Sequence, residues 1–171
     1  MVIRIDFIQC PDIAQTVVCT CIGLKIAFKF TGLQTLKVKE TDRIVALQNE
    51  LQKFGCAIEI TDNSIQWQKI KSEPFNNLSV ATYHDHRMAM SFAPLCLLYE
   101  NIIIENAEVV SKSYPLFWED VKHIGINQTQ LLTYTEDIIS FNNRVSLIPL
   151  GIFLKIHLST LSDNSKLYLL C

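Results

Sequence analysis

The chain has 171 residues, a formal net charge of −2 and 19% charged residues. That length suits one domain around one core, and the near-neutral balance argues against a nucleic-acid partner or a polybasic attachment to a membrane. A hydrophobic fraction of 49% fits a globular domain of mixed helix and strand.

The six cysteines are Cys10, Cys19, Cys21, Cys56, Cys96 and Cys171. They form no CxxC pair and accompany no histidine cluster, so no metal site is expected. Most lie in apolar runs and read as buried thiols. The opening Met1-Val2-Ile3-Arg4-Ile5-Asp6 has no signal-peptide core. The expected compartment is the reducing cytoplasm.

Val2 to Phe7 alternates apolar and polar residues, which predicts a strand. Cys10-Pro11-Asp12 ends it, and Asp12 is placed to cap a helix from Ile13 to about Lys25. That helix is apolar nearly all round, so it should be well buried. A second strand, Ile26 to Phe30, closes at Thr31-Gly32.

Lys37-Val38-Lys39-Glu40-Thr41-Asp42-Arg43 comes next, and five of those seven side chains are charged. Ile44, Leu47, Leu51 and Phe54 then recur at helical spacing, with Gly55 as the stop. The charged run thus enters a helix, where free backbone N–H groups and the dipole suit an anion. Lys39 and Arg43 add full charge, and Glu40 can carry a proton. The plainer alternative is a solvated helix start.

Cys56 to Ile60 and Ile65 to Gln68 alternate around Asp62-Asn63-Ser64 and predict a hairpin. Lys69 to Val80 reads as a polar loop. Thr82-Tyr83-His84-Asp85-His86-Arg87 leads into a helix running to about Leu98, with Asp85 as its cap and Pro94 interrupting it. His86 and Arg87 fall in the first turn, where a cation opposes the dipole unless an anion shares the site. Asn101 to Glu105 predicts a strand, Val109 to Pro115 a loop, and Pro115 to about Ile124 a helix stopped by Gly125. Beyond it, the apolar run Leu147 to Leu154 is too short to span a bilayer. The pattern supports α/β or α+β.

Gly32-Leu33-Gln34-Thr35-Leu36-Lys37-Val38-Lys39-Glu40-Thr41-Asp42-Arg43 and, downstream, Asp85-His86-Arg87-Met88-Ala89-Met90 resemble two signatures of the 5-enolpyruvylshikimate-3-phosphate synthase family, also called 3-phosphoshikimate 1-carboxyvinyltransferase. The resemblance covers roughly residues 3 to 125 and corresponds to the family's C-terminal part. It implies repeated βαβαββ units, here incomplete. Residues 1–125 would be a partial C-terminal enolpyruvyl transferase domain and 126–171 an unassigned tail, of which Leu131 to Cys171 should add little to the core.

The family moves the enolpyruvyl group of phosphoenolpyruvate to the 5-hydroxyl of shikimate 3-phosphate and releases phosphate. The resemblance implies Asp12 as the base for that hydroxyl and Glu40 as the group at the methylene. Arg43 and Arg87 would converge on the phosphoenolpyruvate carboxylate, with Lys112 on its phosphate. Lys39 and His86 would complete substrate binding. No metal and no organic cofactor is implied, and a monomer is expected. Thr35 stands where many members carry Asn, which puts one contact to shikimate 3-phosphate in doubt.

The family's N-terminal domain supplies further anion-binding groups, and none of its motifs is present. The chain alone is therefore expected to be inactive. Two alternatives are a non-catalytic anion-binding remnant and a relative of the UDP-N-acetylglucosamine enolpyruvyl transferase.

Overall fold

The computed structural model describes residues 1–99, 101–130 and 136–141. Two four-stranded sheets are each crossed by a helix. The first contains β1 (Val2–Asp6), β2 (Ala27–Thr31), β3 (Glu59–Ile60) and β4 (Ile65–Trp67), in the order β1-β2-β4-β3. Its β1 and β2 are parallel and joined through α1 (Ala14–Gly23), while β4 runs antiparallel to both neighbours. The second contains β5 (Ser79–Val80), β6 (Asn101–Glu105), β7 (Ile126–Gln130) and β8 (Glu136–Phe141), in the order β5-β6-β8-β7. Again the first pair is parallel and joined through a helix, α3 (His86–Phe92), and the rest is antiparallel.

The α2 helix (Arg43–Lys53) carries the apolar face expected of it: Ile44, Leu47, Leu51 and Phe54 are all buried. Each large apolar side chain so removed from water stabilises the fold by about 1.5–3 kcal/mol. Phe54 meets Phe92 of α3 with ring centroids 5.7 Å apart, joining the two halves of the core. The helix ends as predicted at Gly55. Its N–H donates to the Gln52 carbonyl and that of Cys56 to the Leu51 carbonyl, closing the last turn. Gly55 has φ +75°, and a Cβ there would lie 2.2 Å from the Ser72 carbonyl oxygen, so no other residue fits.

The α1 helix is buried on most of its surface, as its composition predicts, and packs on α3. Cys19, Cys21, Cys56 and Cys96 are buried thiols. Pro94 ends α3 at Phe92, after which Ala93–Leu97 winds on as a 3-10 turn.

Several expectations change. Asp12 is not a helix cap: it lies in a 3-10 turn, Pro11–Ile13, and its carboxylate makes no capping bond because cations from α2 and α3 claim it. The Lys69 to Val80 stretch ends in a strand rather than a loop, and the predicted loop after Glu105 is largely a 3-10 turn, Ala107–Lys112. The last helix, α4 (Phe117–Lys122), starts after Pro115. Residue 125 is followed by two further strands of the second sheet. There β7 begins at Ile126, which is fully buried, and β8 pairs with β6 along all five residues of that strand. The apolar run Leu147 to Leu154 lies outside the described residues. Among the described residues no helix is long and apolar enough to cross a membrane, and no group of His, Cys, Asp and Glu could hold a metal ion.

Candidate active site

The site forms where the starts of α2 and α3 meet the turn before α1. Asp42 caps α2, accepting from the backbone N–H groups of Ile44 at 3.1 Å and Val45 at 3.2 Å. Asp85 caps α3, accepting from Arg87 N–H at 2.8 Å. Backbone N–H groups at both helix starts are thus bonded to the chain's own carboxylates.

Arg43, the first residue of α2, is only 2% exposed. Its Nε donates to Asp85 Oδ2 at 2.6 Å, and Nη2 donates to Asp85 Oδ1 at 3.3 Å and to Glu40 Oε2 at 2.7 Å. Nη1 donates to Asp12 Oδ1 at 3.1 Å. A guanidinium this deep would cost several kcal/mol, about 3–5, if left with a missing partner. Three carboxylates hold it instead. Asp85, fully buried, serves two purposes at once: it caps α3 and neutralises α2's arginine.

Asp12 is the second focus. Lys39 Nζ lies 3.2 Å from Oδ1, and Arg87 Nη2 lies 3.9 Å from Oδ2. Arg87 Nη1 also donates to the Asp12 backbone carbonyl at 3.0 Å. Arg43 and Arg87 therefore both lie against the carboxylate of Asp12. Burial favours the protonated form of Asp12, yet the Lys39 hydrogen bond and the charges of Arg87, Lys39 and Arg43 together outweigh it and hold the carboxyl below its usual range.

Glu40 is also held ionised. A hydrogen bond from its own backbone N–H is the main cause, burial opposes it, and Arg43, His86 and Lys39 assist. Without a ligand it is a carboxylate, not a proton donor. His86 is half-buried. Burial lowers its proton affinity, Asp85 and Glu40 work the other way, and Arg87 and Arg43 reinforce burial.

The structure thus brings Asp12, Lys39, Glu40, Arg43 and Arg87 into one bonded cluster and sets His86 within its field. Lys112 is not among these bonded residues. It is exposed at the end of the Ala107–Lys112 turn, which packs on α3, and it makes no ion pair among the described residues. Thr35 is exposed on the 3-10 turn Gln34–Val38.

Sequence reasoning recognised Asp85 only as a cap, and it missed Glu50 altogether. A signal was available, because the helical period puts Arg43 and Glu50 on the same apolar face as Leu47 and Leu51. A charge on a buried face needs a buried partner.

Chemically, the cluster offers two arginine forks and a lysine suited to carboxylate or phosphate, beside two partly exposed carboxylates able to exchange protons. Such groups suit anionic ligands in general. The comparisons give the family. Residues 1–121 match the family described as EPSP synthase (3-phosphoshikimate 1-carboxyvinyltransferase), and the chain belongs to it. It is 48% identical over 121 residues to the 3-phosphoshikimate 1-carboxyvinyltransferase of Bacteroides fragilis, covering 70% of this chain and 30% of that protein. The namesake from Methanospirillum hungatei is 38% identical over 125 residues, 73% of this chain and 28% of its own. That from Clostridium beijerinckii is 36% identical over 122 residues, 71% and 28% respectively. The chain thus spans less than a third of the length of these curated relatives.

Proposed function

We propose that this chain supplies one side of a site that transfers the enolpyruvyl group of phosphoenolpyruvate to the 5-hydroxyl of shikimate 3-phosphate. The observation that carries this reading is the meeting of both motifs on Asp12: Lys39, Arg43 and Arg87 all lie within 4 Å of its carboxylate. Both substrates are polyanions, and both would compete with Asp12 for these cations.

Arg87 is the more available fork, partly exposed and only loosely bonded to Asp12, so it takes the phosphoenolpyruvate carboxylate first. Arg43 adds direction, with its Nε and Nη2 tied to Asp85 and Glu40. Lys39 and His86 face the phosphate and hydroxyls of the second substrate. Lys112, exposed at the end of its turn, is the cation for the transferable phosphate in this reading. An anion that draws Arg87 and Lys39 away from Asp12 and sets its own negative charge beside Glu40 raises the proton affinity of both carboxylates. Glu40, once it has taken up a proton from solvent, can then protonate the enol methylene, while Asp12 takes the proton of the attacking 5-hydroxyl as its oxygen bonds to C2. Phosphate leaves the tetrahedral intermediate as a methyl proton returns to Glu40, restoring the double bond.

The cluster by itself is electrically balanced. Lys39, Arg43 and Arg87 supply three positive charges and Asp12, Glu40 and Asp85 three negative ones, which sum to zero. Two polyanions need more cations than this, so we propose that the chain alone does not complete the reaction. We also read the two sheets, with their matching strand orders, as two copies of the βαβαββ unit, the second closing with β7 and β8.

The test is a chimera in which residues 1–121 replace the matching segment of the Bacteroides fragilis relative. It should release phosphate from phosphoenolpyruvate and shikimate 3-phosphate, and Glu40→Gln or Arg87→Ala should reduce that rate at least about a hundredfold. The isolated chain should show none. A folded chimera whose rate ignores both substitutions sinks the reading.

A further inference from the structure

Outside the Asp12 cluster, one more carboxylate is as deeply buried as Arg43. Glu50 is 1% exposed and lies on α2, two turns beyond Arg43 and on the same face. Both its oxygens are engaged. Oε2 accepts from Lys53 Nζ at 2.6 Å and from Ala81 N–H at 3.1 Å, and Oε1 accepts from the Tyr83 hydroxyl at 2.8 Å. Lys53 also donates to the Ser79 carbonyl at 2.8 Å, fastening the end of α2 to β5.

The segment that Glu50 grips is strained. Tyr83 and His84 have φ of +54° and +58°, a left-handed conformation unfavourable to any residue with a Cβ. Two such residues in succession persist only where their surroundings over-determine them. Asp85 follows directly, and its two oxygens must reach Arg43 on one side and the Arg87 N–H on the other. The α2 helix therefore touches one short segment at two points. Arg43 holds Asp85, while Glu50 holds the turn that delivers Asp85.

We propose that Glu50 is a positioning residue for this site: by bonding Ala81 and Tyr83 it keeps the left-handed turn in place and so aims Asp85, and through it Arg43 and Arg87. The proposal rests on the reading of that turn as part of the anion site. If Glu50 served only to fasten α2 to β5, its loss would lower stability without altering Arg43.

The full chain, labelled with nitrogen-15, separates the two. Arg43 Nε–H is buried and bonded to Asp85, so its NMR signal should be displaced and slow to exchange with solvent. In Glu50→Gln an amide NH2 replaces one carboxylate oxygen and faces a donor. Arg43 Nε–H should then exchange roughly tenfold faster or more, the scale expected for one lost charge-assisted bond, while unfolding stays cooperative. Tyr83→Phe removes a single hydroxyl and should move the signal the same way by less. It replaces Glu50→Gln as the deciding variant if the latter does not fold. An unchanged Arg43 signal in the deciding variant overturns the proposal. Phosphoenolpyruvate is titrated into the chimera in parallel, and its failure to shift Arg87 there counts against the substrate reading alone.

Discussion

Asp85→Asn is the sharpest probe of how the site is held together. In the folded chain Asp85 is fully buried and bonds Arg43 twice, at 2.6 and 3.3 Å, while capping α3. Asparagine keeps one acceptor oxygen but turns an NH2 toward a donor. Breaking a buried ion pair costs about 3–5 kcal/mol, and part of that is offset here because Asp12 and Glu40 still balance the guanidinium, leaving about 2–4 kcal/mol. The other two carboxylates sit in a different regime. Their side chains are 42% and 45% exposed, so solvent screens their pairs. Asp12→Asn and Glu40→Gln should each cost about 1 kcal/mol or less. Denaturant unfolding of the full chain resolves the difference. Both tryptophans, Trp67 and Trp118, are buried and report on the core by fluorescence. Removing both charges, as Arg43→Met with Asp85→Asn, should cost less than the sum of the single changes. If Asp85→Asn costs no more than Asp12→Asn, the buried pair does not organise the site and the reasoning fails.

Two further outcomes follow from the same geometry. His86 has its proton affinity lowered in the folded chain relative to its ordinary value of 6.5, so below that value the unfolded chain binds the extra proton first and stability falls with acid. Asp12 and Glu40 have lowered values too, so their contribution is present above the ordinary carboxylate range and is lost as pH falls from that range through their lower folded-state values. Between about pH 7 and about pH 5 the slope should therefore belong to the histidine, and His86→Gln should flatten it in a series of urea titrations; an unaltered slope assigns it elsewhere. Truncation after Gly125 removes β7 and β8 and leaves one edge of β6 without its ladder partner, so unfolding should lose cooperativity and shift to lower denaturant. A truncated chain as stable as its parent would show the hairpin to be dispensable.

Local signals were the readable ones. The apolar face of α2, its stop at Gly55, the break at Pro94 and the hairpin around Asp62 each depend on neighbours within a turn or two, and each stands where the sequence puts it. Asp12 was misread as a cap because its strongest partners, Lys39, Arg43 and Arg87, are remote in sequence, and an ion pair with them outcompetes a bond to the next helix. Asp85 was half-read: its bond to Arg87 N–H is local, and its bond to Arg43 is not. The β7 strand reads Ile-Asn-Gln-Thr-Gln, nearly all polar, so nothing in its own pattern announces a strand. Pairing with β8, and through it with β6, is what orders it.

The equal count of opposite charges around Arg43 also bears on kinetics. A basic cleft draws a distant anion through its long-range field and speeds the encounter, at the cost of strong sensitivity to ionic strength. Six charges that cancel within hydrogen-bond reach cast almost no field beyond a Debye length, about 8 Å at physiological salt. On the proposed reading, this cluster by itself gives an approaching anion no electrostatic assistance, so added salt should scarcely change its contribution to the encounter rate. On the same reading, discrimination among anions would come at contact, in competition with Asp12 for its arginines.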